Sequence, residues 1–121
     1  MDTSKSPDAE TPSEASALIF SGRPDPIWTL PAALTRRLLD LWNQSKSVQQ
    51  MPSLRTGLGY RGCRWRMADD EWIACDGTIT RYREGNAVES RADVGRKFER
   101  LLIGSCPGDA VPAQFLDPEL R

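Results

Sequence analysis

Tyr60-Arg61-Gly62-Cys63-Arg64-Trp65-Arg66-Met67, then Glu71-Trp72-Ile73-Ala74-Cys75, then Thr78-Ile79-Thr80-Arg81-Tyr82-Arg83, follow one another with only short polar joints between them. Residues in a strand alternate between two faces, so Cys63, Trp65 and Met67 share one side and Tyr60, Arg64 and Arg66 the other. Asp76-Gly77 is a strong two-residue hairpin signal, because both positions tolerate the left-handed backbone such a turn requires. It pairs Cys75 with Thr78, Ala74 with Ile79 and Trp72 with Arg81. A turn centred on Asp69-Asp70 would pair Met67 with Trp72. One face then carries Cys63, Trp65, Met67, Trp72, Ala74 and Ile79 and is expected to lie under helices. The other carries Tyr60, Arg64, Arg66, Ile73, Cys75, Thr80 and Tyr82 and is expected to be half solvated. A one-residue bulge would exchange the two sets, so the reading rests on register.

Downstream of this meander, Glu84-Gly85-Asn86 turns the chain and Ala87-Val88-Glu89 adds a brief strand. Ser90 is positioned to cap a second helix, with Asp93 as the partner of a short capping box. Its apolar stripe is Val94, Phe98, Leu101 and Leu102; Gly104 and Pro107 end it. Upstream, Leu34, Leu38, Leu41 and Trp42 mark one face of a first helix. Thr29 is its expected N-cap, Pro31 lies in its first turn, and it ends near Asn43 to Ser45. Residues 46 to 58 form a polar connection. Ala17-Leu18-Ile19-Phe20 reads as a first strand buried on both faces. The sum is an α+β domain, a mostly antiparallel sheet with two helices packed on one face. It is expected over residues 16–106, between a disordered tail at 1–15 and a loosely packed tail at 107–121.

Composition narrows the chemistry. The chain has 121 residues, 16 basic against 17 acidic, and a net charge of -1. That balance argues against attraction of nucleic acid by the whole surface, though not by a local patch. Of the basic residues only Lys5, Lys46 and Lys97 are lysine; the rest are arginine. There is no histidine, which excludes Ser-His and Cys-His nucleophile pairs and His-ligated metals. Cys63, Cys75 and Cys106 are widely spaced and odd in number, so neither a disulfide framework nor a thiolate metal site is expected, and no cofactor. With no apolar run long enough to span a bilayer and a polar, acidic start, the expectation is a soluble cytoplasmic protein with no membrane contact.

Two sites stand out. In Ser21-Gly22-Arg23-Pro24-Asp25-Pro26-Ile27-Trp28 two prolines stiffen the chain. One reading makes it a partner-binding loop: Ser21, Arg23 and Asp25 supply polar contacts, Arg23 forks onto a carboxylate, and Trp28 offers a flat apolar wall. The other makes it structural, with Trp28 in the core and Arg23 paired to an acid. The second site is the sheet face with Tyr60, Arg64, Arg66 and Tyr82. Aromatics beside arginines can stack bases and neutralise phosphates, or simply form a solvated face with the arginines paired to acids. Asp69, Asp70, Glu71 and Asp76 cluster around the hairpins, where carboxylates can act as acid and base or bind a hard cation, but Asp69, Asp70 and Asp76 read as turn chemistry. The first expectation is therefore a non-enzymatic module binding a protein or peptide through the loop, the sheet face or both. An RNA- or single-stranded-DNA-binding domain and a small histidine-free enzyme are the alternatives.

The segment Ser21–Trp28, together with Leu58-Gly59-Tyr60-Arg61-Gly62, resembles a family of small, uncharacterised microbial proteins with an S-G-R-P-(D/N)-P-x-W segment and a later L-G-Y-R-G segment. The resemblance implies a shared fold ending in a leucine-rich helix. It implies no activity.

Overall fold

In a computed structural model, which describes residues 13–18, 25–49 and 62–107, seven strands form one sheet in the order β2-β1-β4-β5-β6-β7-β3, every pair antiparallel. The elements run β1 (Ser13–Ala17), β2 (Ile27–Leu30), α1 (Ala32–Gln44), β3 (Ser47–Val48), β4 (Cys63–Met67), β5 (Asp70–Cys75), β6 (Thr78–Arg83), β7 (Asn86–Ala92), a 3-10 turn (Val94–Arg96) and α2 (Lys97–Gly104). Both helices cover one face. Leu38 and Trp42 of α1 and Phe98, Leu102 and Ile103 of α2 join Trp28, Trp65, Met67, Trp72 and Ile79 of the sheet in one core. This is the expected α+β architecture. No helix among the described residues is long and apolar enough to cross a membrane.

The interior of the sheet is built on alternating sizes. Trp28, Ala15, Trp65 and Trp72 lie abreast across β2, β1, β4 and β5. Ala15 separates two indoles, and Trp65 and Trp72 stack with centroids 4.4 Å apart. A larger residue at Ala15 would collide with the rings on either side, so β1 turns only the small side chains of Ser13, Ala15 and Ala17 to the core. That is why Ser13–Ala15, expected to belong to the tail, lie inside the sheet. Interleaving of large and small groups lets a core reach native density. Ser13, buried on this face, shares a 2.7 Å hydroxyl hydrogen bond with Thr35 of α1. Thr35 Oγ1 in turn lies 3.2 Å from the Pro31 carbonyl, as donor in that contact.

The hairpin at Asp76-Gly77 has the expected register, Cys75 with Thr78 and Trp72 with Arg81. Both turn residues take positive φ, 51° and 90°. The preceding turn is displaced. It comprises Ala68 and Asp69, so Met67 pairs with Asp70 and Trp65 with Trp72. Ala68 adopts φ 55° there, a backbone no turn rule assigns to alanine. The slip is two residues on the partner strand, so every side chain keeps its face, but Asp70 becomes a buried strand residue.

Two caps also differ from expectation. Thr29 belongs to β2, and α1 starts after Pro31, whose carbonyl accepts the Thr35 N–H. The alternation that buries Trp28 and Leu30 keeps the chain extended up to the proline, and an edge strand tolerates proline beside it. Ser90 lies in β7, hydrogen-bonded to Thr80 across the sheet. The cap of α2 is Asp93, whose two carboxylate oxygens accept the N–H groups of Phe98 and Glu99 at 2.8 and 3.1 Å. Gly95 and Arg96 pass through the left-handed region just before the helix, and Val94 points outward, 77% exposed, instead of joining the apolar stripe. Ser47–Val48, within the expected polar connection, forms β3 against β7.

Candidate functional site on the helix-free face

The face of the sheet away from the helices is set by strand parity. One row across it reads Thr29, Glu14, Arg66, Glu71, Tyr82; the next reads Ile27, Ser16, Arg64, Ile73, Thr80, Ser90. The structure therefore brings Arg64, Arg66 and Tyr82 onto one surface, as the sequence suggests. Tyr60, Ser21 and Arg23 lie outside the described residues. Asp25 is half-buried just ahead of β2.

Trp28 does not provide an exposed wall. It is 6% exposed, faces the core, and its indole Nε1–H donates to Ser105 Oγ beyond α2 at 2.8 Å. The residue at this edge that does face solvent is its neighbour Ile27, 65% exposed. Ile27, Glu14, Ser16, Arg64 and Arg66 surround a hollow of about 20 Å³. That is room for about one water molecule, so the surface is nearly flat and does not enclose a small ligand.

The charges on this surface are interleaved. Arg66 is exposed and sits between Glu14 on β1 and Glu71 on β5. Arg64 lies diagonally against Glu71, its Nε beside Glu71 Oε2 as an ion pair that lacks hydrogen-bond alignment. Partial burial, and secondarily the Glu71 carboxylate, push the Tyr82 hydroxyl above the usual phenol range. Two arginines thus meet two glutamates. Glu14 escapes the sequence reading because its relation to Arg66 depends on β1 lying beside β4, a pairing no local pattern encodes. Glu71 is visible there only as part of an acidic cluster, and the two-residue displacement of the β4–β5 turn sets it opposite Arg66.

On the opposite face the charged residues have structural work. Arg91 lies 4.3 Å over the Trp42 ring, donates through Nη1 to the Trp42 carbonyl at 2.6 Å and through Nε to Glu89 at 2.8 Å. It closes the carboxyl end of α1. The Arg91 and Ser47 hydrogen bonds hold the Glu89 carboxyl below its ordinary range. Arg81 and Arg83 both converge on Asp70. Of the thiols, Cys63 is fully buried and pushed well up by that burial and by the nearby Glu99, which makes it inert as a nucleophile. Cys75 is buried on the other face, and Cys106 is half-buried. Among the described residues no three His, Cys, Asp or Glu side chains converge to hold a metal ion.

No family profile, curated protein or solved structure matches this chain.

Proposed function

We propose that the protein is a non-enzymatic binding module that takes an extended segment of a partner protein at the β2 end of its helix-free face. The observation that supports this reading most is the alternation Glu14, Arg66, Glu71 beside the exposed Ile27. An extended peptide presents side chains every second residue and can match alternating charges one by one. A phosphate backbone repeats a single sign, and here the carboxylates offset the arginines. Ile27 then serves as the apolar anchor.

The test is affinity capture from lysate with and without nuclease, comparing wild type with Ile27→Asp and with Arg64→Ala/Arg66→Ala. The expected result is a nuclease-resistant protein lost with both variants. Recovery that nuclease abolishes and the arginine variant lacks would replace this reading with single-stranded nucleic acid held by Arg64, Arg66 and Tyr82. A partner retained by both variants would move the interface elsewhere.

A further inference from the structure

The chain uses arginine almost throughout, yet two of its three lysines, Lys46 and Lys97, line one groove. The groove has a volume of about 310 Å³ and lies between the end of α1 and the start of α2, near β3, at the opposite edge of the sheet from Ile27. Leu41, Ala92 and the strongly exposed Val94 give it an apolar wall. Its size is at the lower end of small-molecule sites.

Both lysines stand on fixed backbone. The Lys46 carbonyl accepts the Ala92 N–H at 2.9 Å, and β3 begins at the next residue. Lys97 opens α2, whose first turn Asp93 caps. Asp93 is the acidic residue of the lining, and both of its oxygens are occupied by backbone N–H groups of α2. Both lysines are exposed, and neither makes an ion pair with any described carboxylate. A compact lysine charge suits a phosphate as a point charge, whereas arginine favours planar two-point contacts.

We infer that this groove binds a small phosphomonoester, with Lys46 and Lys97 holding the phosphate and the Leu41–Val94 wall receiving the organic group. A phosphomonoester carries close to two negative charges at neutral pH and matches two ammonium groups, where a carboxylate matches one. The groove is far larger than the hollow of about 20 Å³ on the helix-free face, and the inference does not depend on the peptide reading.

The experiment is an amide NMR titration of the full chain with phenyl phosphate, beside benzoate and inorganic phosphate. Expected are saturable shifts confined to 44–46 and 92–97, and weaker binding of both comparison anions. Lys46→Gln and Lys97→Gln, made separately and together, should each weaken phenyl phosphate binding, the double variant by roughly tenfold or more. Both side chains are exposed, so the rest of the spectrum should be unchanged, which verifies the fold. Shifts absent at millimolar phenyl phosphate, shifts unaltered in the double variant, or benzoate binding equally well would each overturn the inference.

Discussion

Asp70 shows how far one side chain can depart from the role its neighbours suggest. In sequence it is the second of two aspartates at a turn; in the fold it is 2% exposed and receives Arg83 at 2.7 Å and Arg81 at 3.2 Å. The Arg83 hydrogen bond holds its carboxyl below the ordinary value of 3.8. A carboxyl depressed in the folded state contributes stability that is present above its unfolded pKa and is lost as pH falls through the folded one. Asp70→Asn should therefore be less stable than wild type at pH 5, and the gap between their urea midpoints should close as pH drops below about 3.8. Arg83 is more than half exposed, so salt should narrow the gap as well. Trp28 allows a second comparison. Trp28→Ala should cost about 3–5 kcal/mol by chemical denaturation, the range for emptying a core ring site. Ser105→Ala, which orphans the indole N–H and removes the hydroxyl's own hydrogen bond to the Leu102 carbonyl but leaves the ring packed, should cost about 1–2 kcal/mol. Equal losses would mean that the ring packs poorly. The sequence offered both a buried and an exposed Trp28; alternation from Ile27 to Leu30 chooses between them only once that segment is known to be a strand.

The elements that sequence made legible are those governed by local chemistry. Asp76-Gly77 fixes its hairpin register because few residue pairs occupy that turn, and the stripe Leu38–Trp42 finds the core because a helix repeats every 3.6 residues. The neighbouring turn slips because Ala68 takes a conformation its side chain disfavours, which only the paired strands enforce. β1 escapes notice because Ser-Glu-Ala-Ser-Ala looks like a tail, and its small residues make sense only between two tryptophans. On the candidate face, Arg64, Arg66 and Tyr82 were readable from hairpin parity, but Glu14 and Ile27 needed the β1 pairings. At this scale α2 gives the sharpest test. Asp93→Ala removes both capping acceptors and should cost about 1–2 kcal/mol in a thermal or urea melt, with Asp93→Ser recovering part of it. Ser90→Ala, within the sheet, should leave the first amides of α2 unchanged in hydrogen exchange, whereas Asp93→Ala should accelerate Phe98 and Glu99.

Among the described residues, one core joins both helices to five strands, so these elements should unfold as one unit. Tryptophan fluorescence and far-ultraviolet dichroism should give coincident urea transitions; two distinct midpoints would contradict a single core. The topology is dominated by distant pairings. β1 meets β4 some fifty positions later, and β3 meets β7 across more than forty. Closing such loops precedes the contacts that reward it, so folding should occupy milliseconds to seconds rather than microseconds. The same order bears on synthesis. β1 leaves the ribosome first of the described elements, but its second neighbour and the indole of Trp65 follow only after β2, α1 and β3 have emerged. Until then Ser13–Ala17 has β2 alone to pair with, and an isolated two-stranded ribbon is marginal in water. A nascent chain arrested before Cys63 therefore presents an unfinished sheet to whatever waits at the exit tunnel, and the domain completes itself largely after its carboxyl half is made.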